Sequence, residues 1–504
     1  MRETRVIRKV LIANRGEIAL RVIRTCRELG IRTVAVYSDA DRQMPFVLHA
    51  DEAYRIGPPP SRESYLMMES IIGVALATRS DAIHPGYGFL SENAEFARRV
   101  RDAGILFIGP PPEAIRSMGD KTEARKLVKK AGVPTVPGTE GPVQAEEEVR
   151  AFCAEYGFPV LIKAAAGGGG KGMRIVREAG ELAQSLRSAQ SEARSAFGDD
   201  RVYVEKYLDN PRHIEFQILA DHYGNIIHLG ERECSIQRRH QKVVEETPSV
   251  IVDDALRDTM GATAVNAARA CGYTNAGTIE FLVDSSRKFY FLEMNTRLQV
   301  EHPVTELRTG LDLVAEQLRV AAGHPLSLRQ EDVKFNGHAI ECRICAEDVE
   351  NDFLPSTGSI LHLRAPQGPG LREDRGVEEG GEIPVYYDSM IAKLVAWAPT
   401  RDEALRKMER GLTEYEILGV KTNISLCLFV IRHPEFRKGN FDTHFLPKYY
   451  GSREKRDASA EERRAVALVC ALLEDQMRNV SVSESAPGHT GREQWLSKRL
   501  DGMR

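Results

Sequence analysis

The stretch Ala276–Thr305, AGTIEFLVDSSRKFYFLEMNTRLQVEHPVT, constrains the fold of this chain more than any other. Two runs rich in β-branched and aromatic residues, Thr278–Val283 and Phe289–Met294, flank the polar segment Asp284-Ser-Ser-Arg-Lys288, the mark of a β-hairpin. A turn symmetric about Ser286/Arg287 sets Asp284 opposite Phe289 and Glu280 opposite Glu293. Side chains alternate along a strand, so Thr278, Glu280, Glu293 and Asn295 then share one face. Ile279, Phe281, Val283, Tyr290, Leu292 and Met294 take the other, the expected core face. Two carboxylates facing each other across a ladder repel. A hard cation between them turns the repulsion into a set of oxygen ligands of the kind Mg2+ or Mn2+ prefers. The plain alternative is a solvated polar face, or one Glu paired with a nearby Lys. The alternation continues through Arg297, Gln299 and Glu301, so the face runs on into anion-binding and acid/base-capable side chains. This is a candidate active-site floor.

A chain of 504 residues exceeds one core and is expected to hold two to four domains. With a net charge of −4 there is no global electrostatic case for nucleic acid. No apolar run approaches the ~20 residues that span a bilayer, so no membrane role is expected. The start, MRETRVIRKVLIANRGE, enters a strand without a signal-peptide pattern, and the eight cysteines are scattered. A cytoplasmic location with free thiols is the expectation. Cys342-Arg-Ile-Cys345 has no second pair for a zinc site, and on a strand its thiols point to opposite faces, so it reads as packing.

Residues 1–118 alternate strand and helix: Lys9–Ala13, Arg15–Leu29, Thr33–Tyr37, Ser64–Ala77, Ala82–Ile83 and Ile105–Ile108. This rhythm predicts an α/β domain of doubly wound, Rossmann-like type, a parallel sheet with helices on both faces. Gly86-Tyr-Gly88 is half a dinucleotide fingerprint, but Ser91 replaces the third glycine and no acidic residue is suitably placed. The glycines read instead as a tight turn against another domain.

Residues 119–335 carry the chemistry. Met118-Gly-Asp-Lys121 opens a helix to Ala131, and Phe158–Lys163 is a strand ending in lysine. Ala164–Gly172 follows, with four consecutive glycines, and then the strand Met173–Val176. Four glycines are costly in conformational entropy, yet they let many backbone N–H groups converge on an anion. Lys171 is followed by Gly rather than Ser/Thr, so this is not a P-loop. A glycine loop between two strands suits a mobile flap over phosphates. Tyr203–Leu208 is a strand whose edge can offer backbone groups to a purine, and His213–Leu219 and Ile226–Leu229 pair across Asp221–Asn225. In Glu233–Glu246, Arg238, Arg239, His240 and Lys242 form a basic patch flanked by acids, suited to an anionic substrate rather than to nucleic acid.

The stretches KAAAGGGGKGM, ECSIQRRHQKVVEE, EFLV with FLEMNTRLQVEHPVTE, and ECRICAED resemble the signature segments of biotin carboxylase, an ATP-grasp family. The resemblance covers about residues 6–448. It implies an N-terminal domain (1–118), an ATP-grasp domain (119–335) whose mobile lid spans about 135–208, an α+β C-terminal domain (336–450) and a tail (451–504). It further implies Lys121 and Lys163 on phosphate, Gly167, Gly168, Gly169 and Gly170 as the lid loop, and Glu205, Lys206 and Leu208 as the adenine hinge. His213, Gln237 and His240 then lie around ribose and base, and Glu280, Glu293 and Asn295 hold two Mg2+ or Mn2+ ions. Lys242, Arg297, Gln299 and Val300 form the bicarbonate pocket, with Glu301 the base and Arg343 facing the biotin ureido oxygen. ATP and bicarbonate are the implied small substrates, passing through carboxyphosphate to biotin borne on a carrier.

In residues 336–450, Gly337–Ala346, Ile360–Leu363 and Asp388–Trp397 read as strands and Arg401–Glu416 as amphipathic helix. Arg343 sits on the first strand, so this domain is expected to close against the ATP-grasp floor, and the family adds a homodimer interface. In the tail, Ala465–Met477 has helical periodicity behind a capping-box spacing at Ser459–Glu462, and a Ser/Gly/Pro segment, Ser481–Gly491, follows. A partner-docking segment, a helix packed on its own domain and a disordered tail are the readings of it. The carrier motif Ala-Met-Lys-Met is absent, so a biotin carboxyl carrier protein and carboxyltransferase subunits are expected on separate chains. The final acceptor is not encoded. Two rivals are another ATP-grasp ligase of the carbamoyl-phosphate type and a non-catalytic, nucleotide-binding assembly protein.

Overall fold

Three strands with apolar, buried centres seed the N-terminal sheet, and their order decides where its open crevice lies. β1 (Lys9–Ile12), β2 (Arg32–Ser38), β3 (Glu52–Gly57), β4 (Ala82–His84) and β5 (Leu106–Phe107) are parallel throughout, in the order β3-β2-β1-β4-β5. Val10 and Ile12 enter one core and Leu11 another, so both faces are covered, as parallel sheets require. The order reverses at β1, so the loops leaving β1 and β4 diverge and the crevice between them opens at their C-terminal ends. β3 is an edge strand with Ala53, Tyr54 and Arg55 exposed; no apolar run marks it, and periodicity does not reveal it.

The computed structural model describes residues 4–139, 141–143, 145–164, 173–197, 200–239 and 241–451, together with the helical residues 464, 467–469 and 471–472. Met1–Tyr450 form one compact unit and Gly451–Arg504 a second. The lid loop Gly167–Gly170, His240 and most of the tail lie outside the described residues. Among the described residues no helix is long and apolar enough to cross a membrane.

The expected helix from Met118 to Ala131 is two helices, Pro112–Gly119 and Lys121–Lys130, with Asp120 extended between them. Next comes a small antiparallel sheet, β6 (Val160–Ala164), β7 (Met173–Val176) and β8 (Val202–Lys206), in the order β7-β6-β8. Val149, Phe152, Val160, Ile162, Leu186, Val202 and Val204 give it a core of its own. A self-contained core on this segment suits the hinged lid expected there.

The largest sheet joins β9 (Arg212–Ala220), β10 (Ile226–Arg238), β11 (Gln241–Thr247), β12 (Asn275–Val283), β13 (Phe289–Asn295), β14 (His338–Cys345), β15 (Leu371–Arg375) and β16 (Met390–Ala398). Their order is β13-β12-β9-β10-β11-β14-β16-β15. The C-terminal segment therefore does not close a separate sheet against the ATP-grasp floor. It extends that floor, through the β11–β14 pairing of Val244 with Cys342 and Glu245 with Glu341.

The β12–β13 hairpin reaches the expected Glu280–Glu293 pairing by a different path. Val283, not Asp284, faces Phe289, because Asp284 and Lys288 close the turn. A one-residue bulge at Leu292, between the Phe281–Phe291 and Glu280–Glu293 pairs, restores the register. The core face is corrected accordingly. Phe289 and Phe291 pack with Ile279, Phe281, Val283 and Met294, whereas Leu292 is exposed and Tyr290 stands opposite Leu282.

Candidate active site

Like charges face each other repeatedly along one side of the large sheet. Glu280 pairs in register with Glu293 on one side and Glu215 on the other, and Glu215 with Arg232 of β10. Glu245 pairs with Glu341, and Arg343 with Lys393 of β16. Such rows are costly unless each charge is bonded. The helix His302–Thr309 crosses β10, β11, β14 and β16 over this side and carries Glu301 at its N-terminal boundary.

Glu301 is fully buried, with Oε1 2.6 Å from Lys242 Nζ and Oε2 accepting from Arg343 Nη2 at 3.0 Å. Lys242 also reaches Glu215 at 2.5 Å and Glu280 at 3.0 Å, and Arg343 Nε donates to Glu245 at 2.6 Å. Burial by itself would raise the Glu301 carboxyl, but Lys242, Arg343 and Arg232 hold it well below the usual carboxylate range. Burial, then the charge of Glu301, raises Glu215. Burial raises Glu245 to about 7 against the pull of Arg343. Glu341, buried with both carboxyl oxygens unpartnered, is raised well above its ordinary value by burial. One carboxyl held low thus sits among carboxyls pushed upward, the kind of separation that marks acid/base sites.

The other expected residues divide into groups. Glu280 accepts from Asn295 Nδ2 at 2.8 Å and from Gln299 at 3.3 Å, and lies 2.9 Å from His213 Nε2. Arg297 donates to Glu92 and Gln299 at 2.9 Å and to Asn295 Oδ1 at 3.0 Å. Glu293 and Asn295 line a cavity of about 230 Å³ with Glu92 and Thr296. Among the described residues ligand atoms converge in two groups, His213 with Glu215 and Glu280, and Glu215 with Cys234 and Glu301, with the Lys242 ammonium bonded to all three glutamates, rather than in the expected trio. The Glu280, Glu293 and Asn295 donor set nonetheless fits a hard divalent ion: Glu280 is held ionised, and all three offer oxygen.

Lys163 Nζ reaches Glu205 Oε1 at 2.5 Å, and Arg125 donates to the same oxygen. Burial opposes ionisation of Glu205, but Lys163 and Arg125 win and lower it. Lys206 spends its ammonium on the carbonyls of Phe158 (2.8 Å) and Gly157 (3.2 Å), which anchors the strand end, and Leu208 is half-buried beside it. His213 and Gln237 come from the neighbouring strands β9 and β10. They bond each other at 2.7 Å next to Glu280. Lys121 opens its helix, and its side chain lies outside the described residues.

The N-terminal contribution to the site was not legible from motifs. A cavity of about 500 Å³ at the β1/β4 crevice is lined by Arg15, Glu17, Tyr87, Arg297, Val300 and Arg343, among others. Asn14 shapes its wall, its Nδ2 donating to the carbonyls of Pro85 (2.7 Å) and Tyr87 (2.8 Å). Gly86 has φ +62° and a Cβ there would meet Asn14 Nδ2 at 2.8 Å, so glycine is required by both backbone and space. The half-fingerprint Gly86-Tyr-Gly88, set aside as a tight turn, borders a ligand-sized crevice after all. The usable signal was the position of two turns at a switch of strand order. Arg125, Glu215 and Glu245 were missed too, although HIEFQIL sets Glu215 in phase with His213.

Glu17 yields a pH prediction. Burial raises its carboxyl to about 7, against the attraction of Lys393, and neither oxygen makes a well-formed hydrogen bond. The folded state then binds a proton that the unfolded chain, near 4.5, has released. This contribution to stability is complete below that unfolded value and is lost as pH rises through about 7. Glu17→Gln is expected to flatten the fall of the thermal midpoint between about pH 5 and 7.5 relative to the parent chain. Parallel midpoint curves would show that the Glu17 carboxyl is ionised throughout.

Comparison with known proteins places this geometry. Residues 6–115 match the family described as biotin carboxylase, N-terminal domain, residues 120–329 carbamoyl-phosphate synthase L chain, ATP binding domain, and residues 341–448 biotin carboxylase C-terminal domain. The chain is 56% identical over 438 residues to a biotin carboxylase of a Nostoc species, covering 87% of this chain and 98% of that one. It is 54% identical over 445 residues to biotin carboxylase 1 of Bacillus subtilis, covering 88% and 99%. Among solved structures it resembles the biotin carboxylase domain dimer of Hydrogenobacter thermophilus 2-oxoglutarate carboxylase, in complex with MgADP, ADP and bicarbonate (TM-score 0.81, 49% identity, 90% of this chain, 100% of that one). It also resembles the biotin carboxylase subunit of pyruvate carboxylase (TM-score 0.83, 51% identity, 90% and 100%).

Proposed function

The chain belongs to the biotin carboxylase family, and from that premise we propose how its residues divide the work. It is an ATP-dependent ligase that uses bicarbonate and Mg2+ to carboxylate biotin. The carbamoyl-phosphate alternative is not favoured, because both segments flanking the ATP-binding domain match biotin carboxylase.

The observation that carries the proposal is the convergence of Lys242 and Arg343 on buried Glu301, beside a cavity that also holds Arg297, Val300 and Tyr87. Bicarbonate is a poor nucleophile at neutral pH; Glu301 takes its proton as it attacks the γ-phosphate, with Lys242, Arg297 and Gln299 fixing the anion. An anion entering between Lys242 and Arg343 shares their charge and so raises the proton affinity of Glu301 at the moment it is needed. Lys121, Lys163 and the Gly167–Gly170 loop hold the phosphates, while the Glu205, Lys206 and Leu208 hinge, with His213, Gln237 and His240, receives the nucleoside. Glu280, Glu293 and Asn295 would hold the metal ion, which when bound would neutralise charge on the transferring phosphoryl group. The lid excludes water from carboxyphosphate until it yields CO2 and phosphate. Phosphate accepts the N1' proton of the biotin ureido group, Arg343 donates to the ureido oxygen on which the charge develops, and N1' then forms the bond to CO2.

Biotin is borne by a biotin carboxyl carrier protein, and carboxyltransferase subunits complete the enzyme on separate chains; this chain acts as a homodimer. ADP release by the purified protein is expected to require bicarbonate and to rise with free biotin. ATP cleavage indifferent to bicarbonate would sink the proposal.

A further inference from the structure

Lys393 is a lysine with no exposed surface, on the central strand β16 of the C-terminal segment. Its cross-strand partner is Arg343, another cation, and a like-charged pair in register is destabilising unless something else uses it. Arg343 is accounted for by Glu245 and Glu301. Lys393 has no place in the chemistry above, yet its Nζ donates to the carbonyl of Val300 at 2.9 Å. It stands 3.3 Å from Glu17 Oε2 and 3.9 Å from Asp374 Oδ2, the residue opposite it on β15. The Val300 carbonyl belongs to the peptide unit that carries the Glu301 N–H. That peptide is the last before the helix His302–Thr309, so its plane sets the direction in which the Glu301 side chain leaves the backbone.

We infer that Lys393 is the positioning residue for the catalytic base: it pins the Val300–Glu301 peptide, with Asp374 beside it as the carboxylate. The pin ties together the first turn of the helix Gly16–Glu28, the loop after β13 and strand β16, three stretches far apart in the chain. Glu17 and Val300 also line the crevice cavity, so the junction borders the space where substrates meet. The base is aimed correctly only when the N-terminal, ATP-grasp and C-terminal segments are packed together. The nearest alternative is that Lys393 merely balances buried carboxylates.

The test rests on the proposed role of Glu301 and uses the full chain. Lys393→Met keeps length and burial and removes both the charge and the donor. With the assays run at pH 8, above the value of about 7 to which burial raises Glu17, Lys393→Met with Glu17→Gln also removes the facing carboxylate, so a charge-balance role predicts recovery of both thermal midpoint and rate. Positioning predicts that the double variant recovers the midpoint while kcat for bicarbonate-dependent ATP cleavage stays at least tenfold below the parent, with KM for ATP within twofold. Recovery of kcat along with the midpoint overturns the inference, as does a Lys393→Met protein within twofold of the parent rate. Failure of the double variant to fold also overturns it, because Lys393 would then sustain the junction as a whole. A parent chain without bicarbonate-dependent cleavage would instead refute the functional proposal itself.

Discussion

Replacing Glu301 by Gln is expected to lower kcat for bicarbonate-dependent ATP cleavage by roughly 10²–10⁴-fold, the usual worth of a positioned general base. The amide fills the same space between Lys242 and Arg343 but cannot take a proton. KM for ATP is expected to hold nearly constant, because the Lys163–Glu205–Arg125 group, proposed to face the nucleotide, is held by its own ion pairs. Steady-state ADP release at saturating bicarbonate reads both values. A variant retaining more than a tenth of the parent rate would remove Glu301 from the role of base.

The second large effect is on stability. Lys242 is the shared cation of Glu215, Glu280 and Glu301, all three fully or almost fully buried. Lys242→Met keeps the stem and removes the ammonium, leaving three carboxylates facing one another with only Arg232, His213 and Arg343 in reach among the described residues. Deleting one member of a buried charge network costs about 3–5 kcal/mol. Protonation is the escape, and Glu215, already raised by burial and by Glu301, is the carboxyl placed to take it. The loss of unfolding free energy is therefore expected to be larger at pH 8 than at pH 5, read from denaturant midpoints at the two values. An equal loss at both would mean that packing of the lysine stem, not its charge, is what the fold needs. Bicarbonate KM should rise as well, since the anion loses a direct cation.

Much of this site can be traced to periodicity in the chain, and some of it is reached by compensating errors. A symmetric turn predicts the Glu280–Glu293 pairing, but the turn is one residue out of that register and the bulge at Leu292 puts it back. Parity survives a turn error only when a bulge offsets it, and nothing in FYFLEMN announces one. Tyr290 and Leu292 fall on the expected core face for the same reason, and they are not in the core. In the N-terminal sheet, β1, β2 and β4 are evident because buried parallel strands are apolar on both faces. Edge strand β3 has no such signal.

The sequence by itself determined which residues share a strand face: Glu280 with Thr278, Glu293 with Asn295, Glu341 with Arg343. That follows from a covalent repeat of two residues, which no packing alters except at a bulge. Only the tertiary structure decided what those faces meet. Arg343 bonds Glu245 across 98 residues of chain, Lys393 bonds Val300 across 93, and Arg21 of the first helix bonds Glu306 across 285. Strands beyond a hairpin choose neighbours by the burial and hydrogen bonding of whole segments, not by local pattern. So the C-terminal strands could join the ATP-grasp floor as one sheet, and the crevice of the N-terminal sheet could supply the wall of a pocket whose base lies elsewhere in the sequence.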